Sequence, residues 1–358
     1  MNHSIILKGL RAGTAVVAFV AATQASAELN TIKLEAIVGN HTDTYTTDFT
    51  IPFFDETLPE LSGGNITANT VPYTELGLSG FELMNLLKLG TNDISWGVPG
   101  YISGDSPVVE GLELPGLTGD YNVMFDVQDA YRDIFDRELR DKFNARLIAW
   151  SQQPALQGYC KFSEGEIANF SLDTLKGKKV RVHSTSFADF AEALGAVPVT
   201  MSFPDVIPAM ERGVLDCALT SPAAAYGYKF GQVANTVMDV NVGYSTHFFA
   251  MNLDTWNGLN EETQAFLTEQ FDKLNQDLRD WTPKNQEITA ACLGSDPCEL
   301  GENQNMALVT LSEEEQATMK TRVEEIVLKR WAERAGADSA EEWNNTAGKV
   351  LGMSISAE

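Results

Sequence analysis

Histidine and cysteine are scarce in this chain, four of each in 358 residues. No C-x-x-C pair occurs, so dithiol redox catalysis has no support. There is no HExxH helix, no G-x-S-x-G elbow, no P-loop and no cluster of His and Cys at metal-ligand spacing. The expectation is a non-enzymatic protein that uses neither a cofactor nor a metal. A secreted hydrolase working through two carboxylates stays open as an alternative. Acids are abundant, and the separation such a reaction needs is not readable from sequence.

Basic residues are few as well. Lys and Arg number 25 against 50 Asp and Glu, a net charge of −25. That excess repels a phosphate backbone and excludes nucleic acid as a main partner. Long apolar runs are missing beyond the N-terminal segment, so no later stretch is long enough to span a bilayer. Residues 1–27 read as a secretory signal peptide. Lys8 and Arg11 form the positive region, Ala12 to Ala22 the short apolar region, and Ala25-Ser26-Ala27 the cleavage site. Removing it leaves 23 basic against 50 acidic residues, or −27. The mature protein is expected in the periplasm, as a monomer. Its bulk field repels anions, so an anion site must be a local positive focus.

The cysteines suit an exported chain. Cys292 and Cys298 close a short loop and are expected to pair. Cys160 and Cys217 pair only if their strands are neighbours.

Strand and helix signals alternate along the chain. Strands are expected at Ile32–Val38, Ile66–Val71, Ile94–Val98, Ala145–Trp150, Val180–Val182, Val197–Thr200 and Cys217–Leu219. Helices are expected at Thr47–Leu61, Ser79–Leu89, Val127–Phe143, Phe187–Leu194 and Pro204–Arg212. Asn260 caps a long helix that Pro283 should stop or kink. Ser312 and Glu315 form a capping box for a last helix ending near Gly336. The rhythm predicts two α/β domains with mainly parallel sheets flanked by helices. Ligands in such sheets sit beyond the carboxyl ends of the strands.

Arg181 stands out within this pattern. It lies in Lys178-Lys179-Val180-Arg181-Val182-His183, a strand run opening onto Ser184-Thr185-Ser186. A cation inside a strand needs an anion, and a guanidinium matches a carboxylate in two-point contact. The partner is either a ligand carboxylate or a structural Asp or Glu.

The order of motifs resembles the DctP-type solute-binding proteins of TRAP transporters. The segments that carry the likeness are Leu175-Lys-Gly-Lys-Lys-Val-Arg181-Val, Ala193-Leu-Gly-Ala-Val-Pro198-Val and Gly213-Val-Leu-Asp216. Leu87-Lys-Leu-Gly-Thr-Asn-Asp93-Ile, Glu113-Leu-Pro115, Asn252-Leu-Asp-Thr-Trp256 and Leu259-Asn-Glu-Glu-Thr-Gln264 extend it over nearly all the mature chain. The resemblance implies a two-lobed periplasmic-binding-protein clamshell with a long connecting helix. It implies closure on a small organic acid and delivery to the membrane subunits of a TRAP permease. One lobe would hold residues 28–152 and about 243–285, the other 153–242 and about 286–358.

The resemblance also places Arg181 where the family's arginine binds the substrate carboxylate. Two departures bear on the ligand. Many members carry Gln-Glu-Asn-Pro after the aspartate aligned with Asp216, where the Asn contacts ligand. Here the chain reads Cys217-Ala-Leu-Thr-Ser221-Pro222, so Ser221 or Thr220 stands in. The crossing segment Ser151-Gln152-Gln153-Pro154 offers amides such as Gln152 and no second arginine, which favours a monocarboxylate. Rim positions hold Trp96, Tyr101, Trp150, Tyr159, Phe187 and Phe203. An aromatic acid such as a benzoate would suit them, with a sugar acid or dicarboxylate as alternatives. His183 shares a strand face with Arg181 and either donates to ligand or lines the hinge. His41 and Glu75, after the first two strands, are further candidates for the cleft. Tyr228 and Lys229 are assigned to a surface helix.

Overall fold

The computed structural model describes residues 28–356 apart from 153, 241, 295 and 296. The expected signal peptide at 1–27 lies outside the described residues. Eleven strands among the described residues form two sheets. The first runs in the order β2-β1-β3-β10-β4 and the second in the order β11-β9-β5-β8-β6-β7. In the first sheet the strands are β1 (Ile32–Val38), β2 (Ile66–Pro72), β3 (Ile94–Gly97), β4 (Ala145–Trp150) and β10 (Phe248–Asn252). In the second they are β5 (Gln157–Cys160), β6 (Lys179–Val182), β7 (Val197–Thr200), β8 (Cys217–Thr220), β9 (Thr236–Met238) and β11 (Ala307–Val309).

Each sheet is parallel except for one strand. β10 runs antiparallel to β3 and β4, and β5 runs antiparallel to β8 and β9. These are the strands the chain enters on crossing from one sheet to the other, so each arrives from the wrong end. The crossing segments pair with each other. Leu156 N–H donates to Gly243 O at 2.8 Å, Ser245 N–H to Pro154 O at 3.0 Å and His247 N–H to Gln152 O at 2.9 Å. This antiparallel ribbon ties the two sheets together.

Local signals explain most helices. The helix Tyr121–Phe143 starts at Asp120, whose carboxylate accepts from Asn122 N–H at 2.8 Å, and ends at Asn144 with φ 46°. It begins six residues before the expected Val127, because the Asp120 cap outweighs the weak apolar pattern that follows. The expected helix at Ser79 begins only at Leu83. Residues 44–61 stay helical through Pro52 and Pro59 by way of two π-helical turns. The long helix Glu261–Leu293 runs on through Pro283, which does not stop it. Ser312 and Glu315 form their capping box, and the helix at 313–335 ends at Gly336 with φ 90°.

Both sheets are covered on two faces. Leu34, Val38, Phe53, Phe54, Phe249 and Phe271 are buried between the first sheet and the helices at 44–61 and Glu261–Leu293. Val180, Val182, Phe187, Leu219 and Val327 form the core on one face of the second sheet. The C-terminal helices Ala337–Asn345 and Ala347–Leu351 pack with the first sheet's layer. Trp343 and Trp331 are fully buried with Tyr131 and Phe135, and their indole N–H groups donate to Gly111 O and Pro107 O.

Both cysteine pairs are bonded, Cys160–Cys217 and Cys292–Cys298. The first is possible because β5 and β8 are neighbours that set Cys160 directly opposite Cys217.

Candidate functional site

Strand periodicity sends Val180 and Val182 into the core and Arg181 to the opposite face of β6. Arg181 is 3% exposed. Its Nε donates to Met201 O and its Nη1 to Leu219 O, each at 3.0 Å. Those carbonyls sit at the ends of the neighbouring strands β7 and β8, so the sheet itself orients the guanidinium. Among the described residues no carboxylate pairs with it; the groups that favour its charge are Tyr101 and Tyr73. Burial pulls its pKa down, yet a guanidinium stays protonated at any working pH. The result is a fixed cation whose remaining edge meets the Tyr101 hydroxyl and, among the described residues, no carboxylate, in a place where an unpaired charge is costly.

That edge faces a cavity of about 60 Å³ between the two sheets. The cavity takes residues from both lobes and from the crossing ribbon. Trp96, at the end of β3, stacks on Tyr73 with centroids 5.4 Å apart and planes 9° apart. Trp96 also meets His247 edge-on at 5.0 Å, and Tyr101 approaches His183 at 6.4 Å. Phe203 lies 5.6 Å from the guanidinium carbon. Gln152 and His247 are in contact at 3.3 Å between Nε2 and Nδ1.

The two histidines are neutral there. Burial depresses His183 well below its ordinary range, and Arg181 depresses it further. Burial takes His247 down to about 3. Among the described residues, Arg181 is therefore the one cationic side chain lining this cavity. Ser221 lines the wall and caps the helix Pro222–Gly227, its Oγ accepting from Ala224 N–H at 3.2 Å. Its hydroxyl proton is left to donate.

Of the expected residues, Arg181, Trp96, Tyr101, Gln152, His183, Phe203 and Ser221 line one cavity, and Thr220 lines it too. Trp150 does not. It ends β4 but faces the other side of the sheet, fully buried against Phe135 at 5.0 Å. Tyr159 and Phe187 are likewise core residues of the second sheet. His41 and Glu75 are exposed. His41 Nδ1 contacts Thr74 Oγ1 at 2.7 Å, outside the cavity.

Sequence reasoning missed Asp43, Tyr73, Ser245 and His247. The rule that ligands sit past strand ends leads to the correct loops after β1 and β2. Within each loop the inward-facing residue is two positions from the one expected, Asp43 for His41 and Tyr73 for Glu75. Ser245 and His247 lie in the crossing ribbon, whose pairing no local pattern reveals.

Two α/β sheets joined by crossing strands, with a partly open cavity of polar and aromatic side chains between them, define a two-lobed binding protein of the periplasmic-binding-protein fold. Residues 38–334 match the family profile DctP, bacterial extracellular solute-binding protein, family 7. The chain belongs to this family, and it is an extracytoplasmic solute receptor of the TRAP type, not an enzyme. A solute-binding protein of Roseobacter denitrificans is 25% identical over 267 residues, covering 72% of this chain and 77% of that one. The sialic acid-binding periplasmic protein of Vibrio cholerae is 24% identical over 238 residues, covering 65% and 71%. The fold matches the crystal structure of a Bordetella pertussis extracytoplasmic solute receptor binding pyroglutamic acid. Their TM-score is 0.78 at 20% identity, with 89% of this chain and 99% of that chain aligned.

Proposed function

We propose that this receptor captures a compact organic monocarboxylate in the periplasm, clamps it through Arg181 and presents it to a TRAP permease. The observation that carries the reading is the state of Arg181. It is buried and held by two carbonyls, with no acid partner among the described residues. A ligand carboxylate supplies the missing anion in two-point geometry. One cation beside two neutral histidines matches one carboxylate, which disfavours dicarboxylates.

The cavity volume favours a small ring or short chain over an extended sugar acid. Structural relatives bind pyroglutamate, galacturonate and glucuronate, and the first is the most compact of these. Trp96 and Tyr73 contribute aromatic surface to the cavity wall. Trp150, Tyr159 and Phe187 belong to the core, which removes half of the aromatic wall that suggested a benzoate. Benzoate becomes one test ligand among several. We assign residues 28–152 and about 243–285 to one lobe and 153–242 with the following helices to the other. Residues 337–355 go with the first lobe, against which they pack.

Mass spectrometry of small molecules released from the purified, denatured protein identifies the acid. Calorimetry with that acid then tests the clamp. Arg181→Ala should weaken binding at least tenfold, about 1.4 kcal/mol, with an unchanged far-UV spectrum. Equal affinity in both proteins would remove the basis of the assignment.

A further inference from the structure

The cavity contains a second ionisable group that capture of a carboxylate leaves unused. Asp43 lies in the turn between β1 and the helix at 44–61, and it lines the same cavity as Arg181. Its backbone is committed. The N–H donates to Asn40 O, and the carbonyl accepts from Thr46 N–H and Thr47 N–H. Its carboxyl group is not: among the described residues, desolvation is the one influence on its ionisation, with neither a donor nor a cation opposing it. The charge of Asp43 is felt by Tyr45, Tyr73, Tyr101 and Tyr228, so it sits among four phenols.

Asp43 and Arg181 therefore share a cavity of about 60 Å³ without forming an ion pair. Opposite charges in a desolvated space attract strongly. Holding them apart is unfavourable unless a molecule with complementary groups stands between. Burial raises the Asp43 carboxyl to about 7, as expected for a carboxylate lacking a compensating donor. With His183 and His247 neutral, the cavity presents one positive wall and one acidic wall. Asp43 is half-buried; a purely anionic acid satisfies the first wall and covers the second without pairing it, which is penalised. A molecule carrying both a carboxylate and an N–H donor satisfies both.

We propose that Asp43 is a specificity-determining residue that selects, among compact monocarboxylates, those bearing an N–H donor, as cyclic amino acids do. This rests on the reading of Arg181 as the carboxylate clamp and narrows it. Arg181 fixes the carboxylate, and Asp43 accepts the hydrogen bond from the nitrogen. At pH 8 the ring nitrogen of such an acid is protonated, so replacing it by CH₂ removes the N–H donor together with its positive charge while keeping ring size, and the isosteric pairs read the two as one effect.

The experiment is calorimetry at pH 8 with two such pairs. Pyrrolidine-2-carboxylate is compared with cyclopentanecarboxylate, and piperidine-4-carboxylate with cyclohexanecarboxylate. The pairs place nitrogen beside the carboxylate or across the ring from it. In the native protein at least one nitrogen acid should bind tenfold or more tightly than its carbocyclic partner. In Asp43→Ala the gap should shrink below threefold, with carbocycle affinity unchanged or improved. Arg181→Ala should weaken all binders alike. Carbocycles that bind as well as their partners, or a gap that survives Asp43→Ala, overturn the role of Asp43 and leave the clamp standing. If none of the four acids binds the native protein, the selection of nitrogen-bearing ring acids falls, while calorimetry with the acid released from the purified protein still decides the clamp.

Discussion

At the scale of single residues, this receptor turns on how few charges it places in the cavity between its sheets. Arg181 keeps its charge because two carbonyls and two phenols surround it, not because an acid neutralises it. The shape of that charge matters. Arg181→Lys keeps the charge but loses the planar fork, and calorimetry should show affinity well below that of the native protein. Asp43 affects stability in the opposite sense from a paired carboxylate. Its folded pKa of about 7 lies above the ordinary value of 3.8. Between these values the unfolded chain releases the proton and the folded chain keeps it. Stability from this group is thus complete below pH 4 and declines as pH rises towards 7. Asp43→Asn removes that slope. The ligand-free variant should melt higher than the native protein at pH 8 and equally at pH 4, in a thermal scan across pH. A variant that melts lower at pH 8 would contradict the burial of this carboxyl.

At the scale of elements, the crossing ribbon and the strand that follows it decide where the cavity lies. β5 enters the second sheet antiparallel and places Cys160 against Cys217 on β8, the strand that also supplies Leu219 O to Arg181. The disulfide therefore pins the strand that orients the guanidinium. It closes a chain separation of 57 residues, whereas Cys292–Cys298 closes one of 6. The loop-entropy account gives about 4 kcal/mol for the first and roughly 2 kcal/mol for the second. Replacing Cys160 and Cys217 by Ala should lower the denaturation midpoint more than replacing Cys292 and Cys298. Urea titration checks the order, and the reverse order would place the dominant effect outside chain entropy.

At the scale of the whole molecule, the lobes meet through polar contacts as well as through the cavity. Glu110 accepts from Ser186 N–H and Ser186 Oγ–H at 2.9 Å, joining the turn Pro107–Leu112 to the start of the helix Thr185–Ala193. Within the first lobe, Glu113 accepts from Gly100 N–H and Thr246 N–H, and burial raises its carboxyl well above the usual range. On the other side of the cavity Asn40 Nδ2 donates to the Tyr228 hydroxyl. Tyr228 is thus not simply part of a surface helix; it bridges the loop after β1 and the end of Pro222–Gly227. Tyr228→Phe removes this hydrogen bond between the lobes, a loss of about 1 kcal/mol. Ligand affinity should fall several-fold, chiefly through faster release in stopped-flow measurements. An unchanged release rate would show that this contact does not hold the lobes together.

Much of the receptor is legible in its residues taken in order. The strand Ile32–Val38, the strand Ala145–Trp150, the capping box at Ser312 and the stop at Gly336 follow from local periodicity and capping, which act within a turn or two of chain. Arg181 was legible because a cation between two buried valines is a local anomaly. The remainder depended on distant segments. Which face of β4 Trp150 covers was settled by Phe135 and Phe248 packing against it. Asp43 and Tyr73 point inward, and His41 and Glu75 outward, because a loop has no period and its side-chain directions follow from what it lies against. The pairing of Cys160 with Cys217 and the docking of residues 337–355 on the first sheet's layer are matters of neighbour order, which only the packed chain defines. Sequence alone determined the kinds of element and singled out Arg181 as a cation within a strand, since those are short-range properties. Tertiary structure decided which groups share a cavity, since that depends on contacts between residues far apart along the chain.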